Sequence, residues 1–285
     1  MSRIVFNRKI SSQYYRMRIL CSRIASRAKP GQFVMVRVTN LLDPLLRRPF
    51  GIHRVCQESD NHKGHPTCME ILYRIIGKGT LMLSEKEKGE EIDLIGPLGN
   101  GFNLKQNFKT AIIVAGGIGV APLFSLTKVL KKAEGSRVRQ KNLIVFIGGK
   151  TGEDILCVKD FKRVGAKVEV STEDGSVGTK GIVTDLLQNF LSDSSPSKTQ
   201  DLMLFACGPS LMLRTVSEIA SSQNIPCQIS LENKMACGVG ACLGCSIPTK
   251  VKKAGNSETS YQRVCREGPV FDSTTILWNQ ENFIE

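Results

Sequence analysis

Apolar and polar positions alternate with a period of two through much of the first third of the chain. The stretches "YYRMRILCSRI" (14–24), "QFVMVRVTN" (32–40), "CMEILYRII" (68–76) and "EIDLIGPLG" (91–99) are short and rich in β-branched and aromatic residues. Such alternation marks strands with one face on a core. The breaks "KPG", "GKGT" and "KGE" between them carry turn residues. Several short strands at this spacing predict an antiparallel β-barrel or sandwich over residues 1–106. The polar stretch "QESDNHKGHPT" (57–67), with His62 and His65, reads as a hairpin loop rather than a metal site.

From residue 107 the period changes. "TAIIVAGGIGVAPLFSLTKVLKKA" (110–133) is an apolar strand, a glycine turn and an amphipathic helix, and "NLIVFIGG" (142–149) is a second buried strand. "KVEVSTEDG" (167–175) and "DLMLFACGP" (201–209) follow, leading to the helical patterns "GIVTDLLQNFL" and "SLMLRTVSEIASSQ". Strands that alternate with helices predict a doubly wound parallel α/β sheet over 107–230, with "SDSSPSKTQ" (192–200) as a surface loop. Residues 231–285 hold a cysteine-rich loop, the polar insertion "KVKKAGNSETS" (250–260) and a tail. The fold class is therefore multidomain β plus α/β, with a small third, C-terminal domain.

Composition narrows the setting. The chain has 285 residues, 41% hydrophobic and 23% charged, which suits a soluble globular protein of ordinary domain sizes. No apolar run approaches the length of a membrane span, and the N-terminus has neither an apolar h-region nor a small-residue cleavage site. We expect a cytoplasmic protein, where thiols stay reduced and clustered cysteines bind metal rather than form disulfides. The net charge of +13 suggests nucleic acid, but the basic residues are scattered and aromatic content is only 6%, poor for base stacking. Attraction to anionic cofactors or an acidic partner accounts for the charge equally well.

The cysteines carry the most specific signal. Cys237, Cys242 and Cys245 stand in a C-x4-C-x2-C spacing, with Cys265 further on. This is the plant-type pattern for a [2Fe–2S] cluster. Four thiolates must converge on two irons, so the backbone has to wrap closely; Gly238, Gly240 and Gly244 permit this, and small Ala236, Ala241 and Ser246 leave room. A four-cysteine zinc site is the rival, but zinc sites usually pair two close couples, and here Cys265 stands alone. Of the remaining cysteines, 21, 56, 68, 157 and 227 read as core packing. Cys207 is different. It ends a parallel strand at "ACGPSLM" (206–212), where ligands of open α/β sheets bind. "VAGGIGVAP" (114–122) supplies a second such place: Gly116, Gly117 and Gly119 lie between a strand and a helix N-terminus, suited to a pyrophosphate, although the third glycine of the usual dinucleotide fingerprint is missing.

A β domain containing "RRPFGI", then "AGGIGVAP", then "CGPSLM", resembles the ferredoxin–NADP reductase superfamily. With "LENKMACGVGACLGC" and "RVCREGPVFDS" added, the chain looks like the electron-transfer subunits of NAD-linked dihydroorotate dehydrogenases, over nearly its whole length. The resemblance implies an FAD-binding barrel (1–106), an NAD-binding α/β domain (107–230) and a [2Fe–2S] domain (231–285). It implies that the family's Arg-Pro-x-Ser stretch for FAD falls on Arg48, Pro49, Phe50 and Gly51, the arginine pairing with the pyrophosphate. Gly51 departs from the pattern, since glycine offers no hydroxyl to the flavin; the N–H of Gly51 or Ile52, or His53, would have to substitute. Leu72, Tyr73 and Arg74 match the second flavin segment, and Gly79 and Thr80 the third. Gly116, Gly117 and Gly119, with Gly208 and Pro209, would line the nicotinamide cofactor, and Cys207 matches the family cysteine near the nicotinamide, the candidate catalytic residue. Cys237, Cys242, Cys245 and Cys265 would hold the cluster.

Near the expected adenosine ribose, "GGKTGEDI" (148–155) and "STEDGS" (171–176) supply Glu153, Asp154, Glu173 and Asp174 against one cation, Lys150. Acids suit a ribose diol and repel a phosphate, which favours NAD over NADP. No hydrolytic constellation is visible, and nothing resembles an FMN-binding barrel or a base for oxidising dihydroorotate. The resemblance therefore implies a separate FMN-containing catalytic subunit, two copies of each in a heterotetramer. Electrons would run from its FMN through [2Fe–2S] and FAD to NAD+, in the oxidation of dihydroorotate to orotate for pyrimidine biosynthesis. Alternatives are an electron-transfer subunit of a sulfide dehydrogenase or NADH-dependent ferredoxin:NADP reductase type, a non-enzymatic redox sensor, and a zinc-stabilised binding module.

Overall fold

The structure, a computed structural model, describes residues 2–57, 67–131, 142–193, 201–253 and 256–278. His62 and His65, and most of the surface stretch 192–200, lie outside the described residues. Six strands form the first lobe: β1 (Ser2–Lys9), β2 (Tyr14–Leu20), β3 (Phe33–Arg37), β4 (Arg48–Cys56), β5 (Cys68–Arg74) and β6 (Glu91–Leu98). They close a barrel in the order β1–β2–β5–β4–β3–β6, antiparallel throughout, with β6 returning to β1. Closure leaves no free edge. Met17 and Ile19 of β2, Val34 and Val36 of β3, and Ile71 and Tyr73 of β5 fill the interior.

β3 reads as an unbroken apolar run because both its faces are covered. Val34 and Val36 point into the barrel, whereas Phe33 and Met35 belong to a second core shared with the C-terminal segment. Two local expectations are corrected. "GKGT" is not a turn between strands but the start of helix α2 (Lys78–Ser84), after α1 (Ser22–Ala25) has already taken "CSRI" out of its expected strand. The Thr80 hydroxyl accepts the N–H groups of Ile76 and Gly77 at 2.9 and 3.2 Å, which satisfies donors at the helix start.

The second lobe runs β7 (Thr110–Gly116), α3 (Val120–Lys131), β8 (Asn142–Gly149), α4 (Val158–Arg163), β9 (Lys167–Thr172), β10 (Thr179–Lys180), α5 (Val183–Ser192), β11 (Leu202–Cys207), α6 (Ser210–Ser222) and β12 (Cys227–Ser230). The C-terminal segment adds β13 (Ser246–Lys253), β14 (Asn256–Arg263) and β15 (Val270–Asp272). The main sheet has the order β10–β9–β8–β7–β11–β12–β15, parallel except for β15. Helices α3 and α4 cover one face through Leu123, Leu126 and Phe161. On the other face α5 and α6 pack through Leu187, Leu213 and Val216. The polar insertion is largely a hairpin, β13 against β14.

Helix α3 also seats on the barrel. His53 of β4 stacks on Phe124 with ring centroids 5.0 Å apart, and its Nδ1 lies 3.1 Å from the Ala121 carbonyl oxygen. Buried Glu70 meets Arg18 and Arg54, at 2.6 and 2.9 Å, and Arg16 and Arg54 extend to Asp160 of α4 at 3.5 and 3.6 Å. Among the described residues, no helix is long and apolar enough to cross a membrane.

Candidate cofactor cavity and cluster loop

Strand order reverses between β7 and β11, and a cavity of about 1030 Å³ opens at their carboxyl ends, against the barrel. The barrel contributes Arg48, Pro49, Phe50 and Gly51 from β4, Leu72, Tyr73 and Arg74 from β5, and Thr80 from α2. The α/β lobe contributes Gly116 and Gly117 at the end of β7, and Cys207, Gly208 and Pro209 at the end of β11. The structure thus brings together nearly all the sequence-derived cofactor residues in one space. Gly79 and Gly119 do not line it; they make room. A Cβ on Gly79 would lie 2.7 Å from the Arg48 Nε, so the guanidinium occupies the space that glycine leaves. A Cβ on Gly119 would lie 2.2 Å from the Cys207 carbonyl oxygen, so only glycine lets the nucleotide turn close on β11.

Two suggested substitutes for the missing serine fall away. The Ile52 N–H donates to the Gln32 carbonyl at 2.9 Å, and the His53 ring faces α3 rather than the cavity. Burial, with Arg54 nearby, lowers His53 to about 3 and keeps it neutral. This leaves the backbone of Gly51, the residue that lines the cavity.

The four acids near the expected ribose separate. Asp154 accepts the Tyr14 hydroxyl at 2.6 Å and the N–H groups of Lys150 and Thr151 at 3.1 and 3.2 Å. Glu153 accepts the Ser12 hydroxyl, and Asp174 the Ser176 hydroxyl at 2.7 Å. Glu173 lines the cavity, and no side chain of the described residues hydrogen-bonds to its carboxylate. Asp154 is therefore a tie between the lobes, and Glu173 is the acid open to a ligand.

Burial, with Glu232 close by, pushes the Cys207 thiol well above its usual range, so it stays protonated. Glu232 was not evident from sequence. It follows β12 into the cavity, open to that space yet deep between the lobes, and burial raises its carboxyl above the ordinary carboxylate value. A carboxylate just beyond a short buried strand, before the cysteine loop, was the available signal. Tyr14, Lys234 and Met235 also line the cavity and were likewise missed.

Past Met235 the chain enters the cluster loop. Cys237 is half-buried, Cys242 exposed, and Cys245 and Cys265 buried. The Cys237 Sγ accepts the N–H groups of Ala241 and Cys242 at 3.3 and 3.4 Å, and Cys245 Sγ accepts the Cys265 N–H at 3.4 Å. Backbone N–H groups of Cys242 and Val239 lower the Cys237 thiol to about 6, whereas burial and neighbouring Cys245 push Cys265 up to about 12. Gly238 and Gly240 take the left-handed conformation at φ 71° and 85°. The third positive φ in the loop falls on Leu243, at 59°, and not on Gly244.

Among the described residues, no three His, Cys, Asp or Glu side chains converge as ligands of a single metal ion. The hydrogen bonds between these cysteines run in two couples, the Cys242 N–H to the Cys237 sulfur and the Cys265 N–H to the Cys245 sulfur. Two irons that take two protein sulfurs each require that arrangement; a single tetrahedral zinc requires all four at one point. The donor set, the N–H groups aimed at sulfur and the tight loop fit a [2Fe–2S] cluster.

Comparison with known proteins agrees with this geometry. Residues 232–277 match the profile of the iron-sulfur cluster binding domain of dihydroorotate dehydrogenase B, and residues 113–218 that of the oxidoreductase NAD-binding domain. The dihydroorotate dehydrogenase B (NAD+) electron transfer subunit of Desulforamulus reducens is 36% identical over 280 residues, covering 96% of this chain and 98% of that protein. Its counterpart in Bacillus caldolyticus is 38% identical over 276 residues, covering 96% of each. Among solved structures, one of an NADH-dependent reduced ferredoxin-NADP oxidoreductase superposes with a TM-score of 0.79 at 26% identity, over 98% of this chain and 90% of that one. A ferredoxin NADP+ reductase from Neisseria gonorrhoeae, solved with FAD and NADP, shares the fold at a TM-score of 0.60 and 15% identity, over 78% and 90% of the two chains.

Proposed function

Because this chain belongs to the family of dihydroorotate dehydrogenase B electron-transfer subunits, we propose that it carries electrons between the FMN of a separate catalytic subunit and NAD+, in the oxidation of dihydroorotate to orotate. The observation that carries this reading is the continuity of one cavity, from Arg48 on the barrel, past Cys207 on the α/β lobe, to Met235 at the threshold of the cysteine loop. When bound, NAD+ takes a hydride, a [2Fe–2S] cluster takes single electrons and FAD handles both, so FAD belongs between them.

The chain's own groups set the geometry. Arg48 offers a fork of N–H donors for the FAD pyrophosphate, with Gly79 leaving its guanidinium room. Pro49, Phe50, Gly51, Leu72, Tyr73, Arg74 and Thr80 wall the flavin side. Gly116, Gly117, Gly208 and Pro209 bring backbone to the dinucleotide, and Gly119 closes the turn beneath them. Cys207 stands as a neutral thiol for the nicotinamide face, and beside it is Glu232, whose carboxyl burial raises above its ordinary value. Glu173, which lines the cavity, would meet the adenosine ribose diol and favour NAD over NADP. Cys237, Cys242, Cys245 and Cys265 ligate the cluster. The three stretches 1–106, 107–230 and 231–285 serve as FAD, NAD and cluster domains. The working assembly is a cytoplasmic heterotetramer with two copies of each subunit.

The test is an anaerobic visible spectrum before and after NADH, with cofactors counted on the same sample. Expected are about two irons, about two sulfides and about one FAD per chain, with bleaching by NADH. A colourless protein containing zinc would overturn the cluster assignment. The 26%-identical ferredoxin-NADP oxidoreductase supports a second reading, the same relay with a different partner. Reduction of the complex by dihydroorotate with the FMN subunit present, and not without it, separates the two.

A further inference from the structure

The turn that carries Cys265 is organised around one residue. The Arg263 carbonyl accepts the N–H groups of Arg266, Glu267 and Gly268 at 3.1, 2.9 and 3.2 Å. Its backbone N–H and its Nε donate to the Glu267 carboxylate at 2.7 and 3.0 Å, and its Nη2 meets the other carboxylate oxygen. The remaining arm of the guanidinium leaves this turn. Nη1 donates to the Gly240 carbonyl at 2.8 Å, across 23 residues of sequence. Gly240 thus shares a peptide with the Ala241 N–H, which donates to the Cys237 sulfur at 3.3 Å. A Cβ there would lie 2.7 Å from the Arg266 side chain and 3.4 Å from the Arg263 Nη1, so the two segments press together at this point. The guanidinium interacts with the sulfurs of Cys245 and Cys265, while the carboxylate of Glu267 is turned to the arginine. The turn is anchored in its turn to the barrel, where Asn100 Nδ2 donates to the carbonyls of Arg266 and Glu267 at 3.2 and 3.0 Å.

We infer that Arg263 is the positioning residue of the cluster site: it clamps the Cys237–Cys242 loop to the Cys265 turn through Gly240, and so sets how strongly the bound cluster holds an electron. Two physical effects act in the same direction. An N–H group aimed at a ligand sulfur, and a cation beside it, both favour the reduced and more negative cluster. Removing the clamp frees the Gly240–Ala241 peptide to turn its N–H away from the Cys237 sulfur and removes the charge as well. The residue contributes no ligand atom, so its effect reaches the metal only through Gly240 and through space. This inference rests on the four cysteines holding the cluster.

The experiment uses the full chain in complex with its FMN subunit, and reads the cluster midpoint potential by EPR-monitored titration, alongside iron and sulfide content. Arg263→Met should lower the reduced-to-oxidised ratio at a given potential about tenfold, which is about 59 mV for a one-electron couple. Arg263→Lys, which keeps the charge and loses the fork, should fall between the variant and the unaltered protein. The FAD potential in the same samples should not move. If Arg263→Met sheds its iron, Arg263→Lys decides alone: an unchanged midpoint overturns the inference, as does an unchanged midpoint in iron-replete Arg263→Met. A role in folding alone would lower iron content without moving the midpoint of the cluster that remains. Failure of the cluster assignment itself would appear separately, as absence of iron and sulfide from the unaltered protein.

Discussion

The glycine turn at 116–119 and the cysteine loop at 237–245 are both rich in glycine, and the demand on Gly119 differs from that on Gly240. At Gly119 the φ is ordinary and what matters is volume, since a Cβ would enter the Cys207 carbonyl oxygen. At Gly240 a Cβ would also be crowded, but the φ of 85° adds a demand of its own, and the N–H groups that follow it point toward sulfur. The first turn presses two pieces of a rigid sheet together. The second curls backbone around something the chain does not itself contain. A protein that joins a hydride site to a one-electron site therefore uses one residue type to exclude side chains and to aim dipoles.

The sharpest way to separate the two regions is Cys242→Ser. It should abolish cluster binding while leaving FAD and NADH-to-dye reduction intact, as read by iron analysis and a dye assay. Loss of all NADH oxidation would show that the loop and the cavity are not separable. The reciprocal change is Gly119→Ala. Forcing a methyl against the Cys207 carbonyl should cost about 2 kcal/mol and lower the thermal midpoint by about 5 °C, with NADH-to-dye activity falling and iron content preserved.

How far each region could be read from the sequence follows the same division. The cluster spacing is local, so four thiols and their glycines were visible as a unit. The β7–turn–α3 unit was visible too, because a buried strand and an amphipathic helix bracket it. Strand β4 was not recognised, since Pro49, Gly51 and the arginines Arg48 and Arg54 interrupt its pattern, and the hairpin β13–β14 is mostly polar. Glu232, the Tyr14–Asp154 tie and the Arg263 clamp depend on contacts between residues that only the fold brings together. Asp154 was read as a ribose ligand because the sequence shows its charge and not its three hydrogen-bond donors.

Acid should sharpen the contrast further. His53 supports α3, the helix that opens at the nucleotide turn, and burial with neighbouring Arg54 holds it near 3 in the folded protein, against about 6.5 when unfolded. Below the unfolded value the denatured chain binds a proton that the native one refuses. Stability from this group is complete above about pH 6.5 and is lost as pH falls toward about 3. Urea midpoints between pH 7 and pH 5 should therefore fall, and less so in His53→Gln, which does not titrate; equal slopes would discard this account. The smallest effect expected is that of Tyr14→Phe. Losing one hydrogen bond to Asp154, whose other two donors remain, should cost about 1 kcal/mol and raise the NADH KM about fivefold, with no change in cluster content.

Strand β15 brings the end of the described chain back to the edge of the main sheet, where Gln228, Ile229 and Ser230 of β12 pair with Asp272, Phe271 and Val270. A gene shortened before this strand would encode a flavoprotein with a bare sheet edge, open to foreign strands and prone to self-association. Deletion of the iron-binding segment should therefore cost solubility as well as the cluster, because the strand that seals the sheet edge is lost with it.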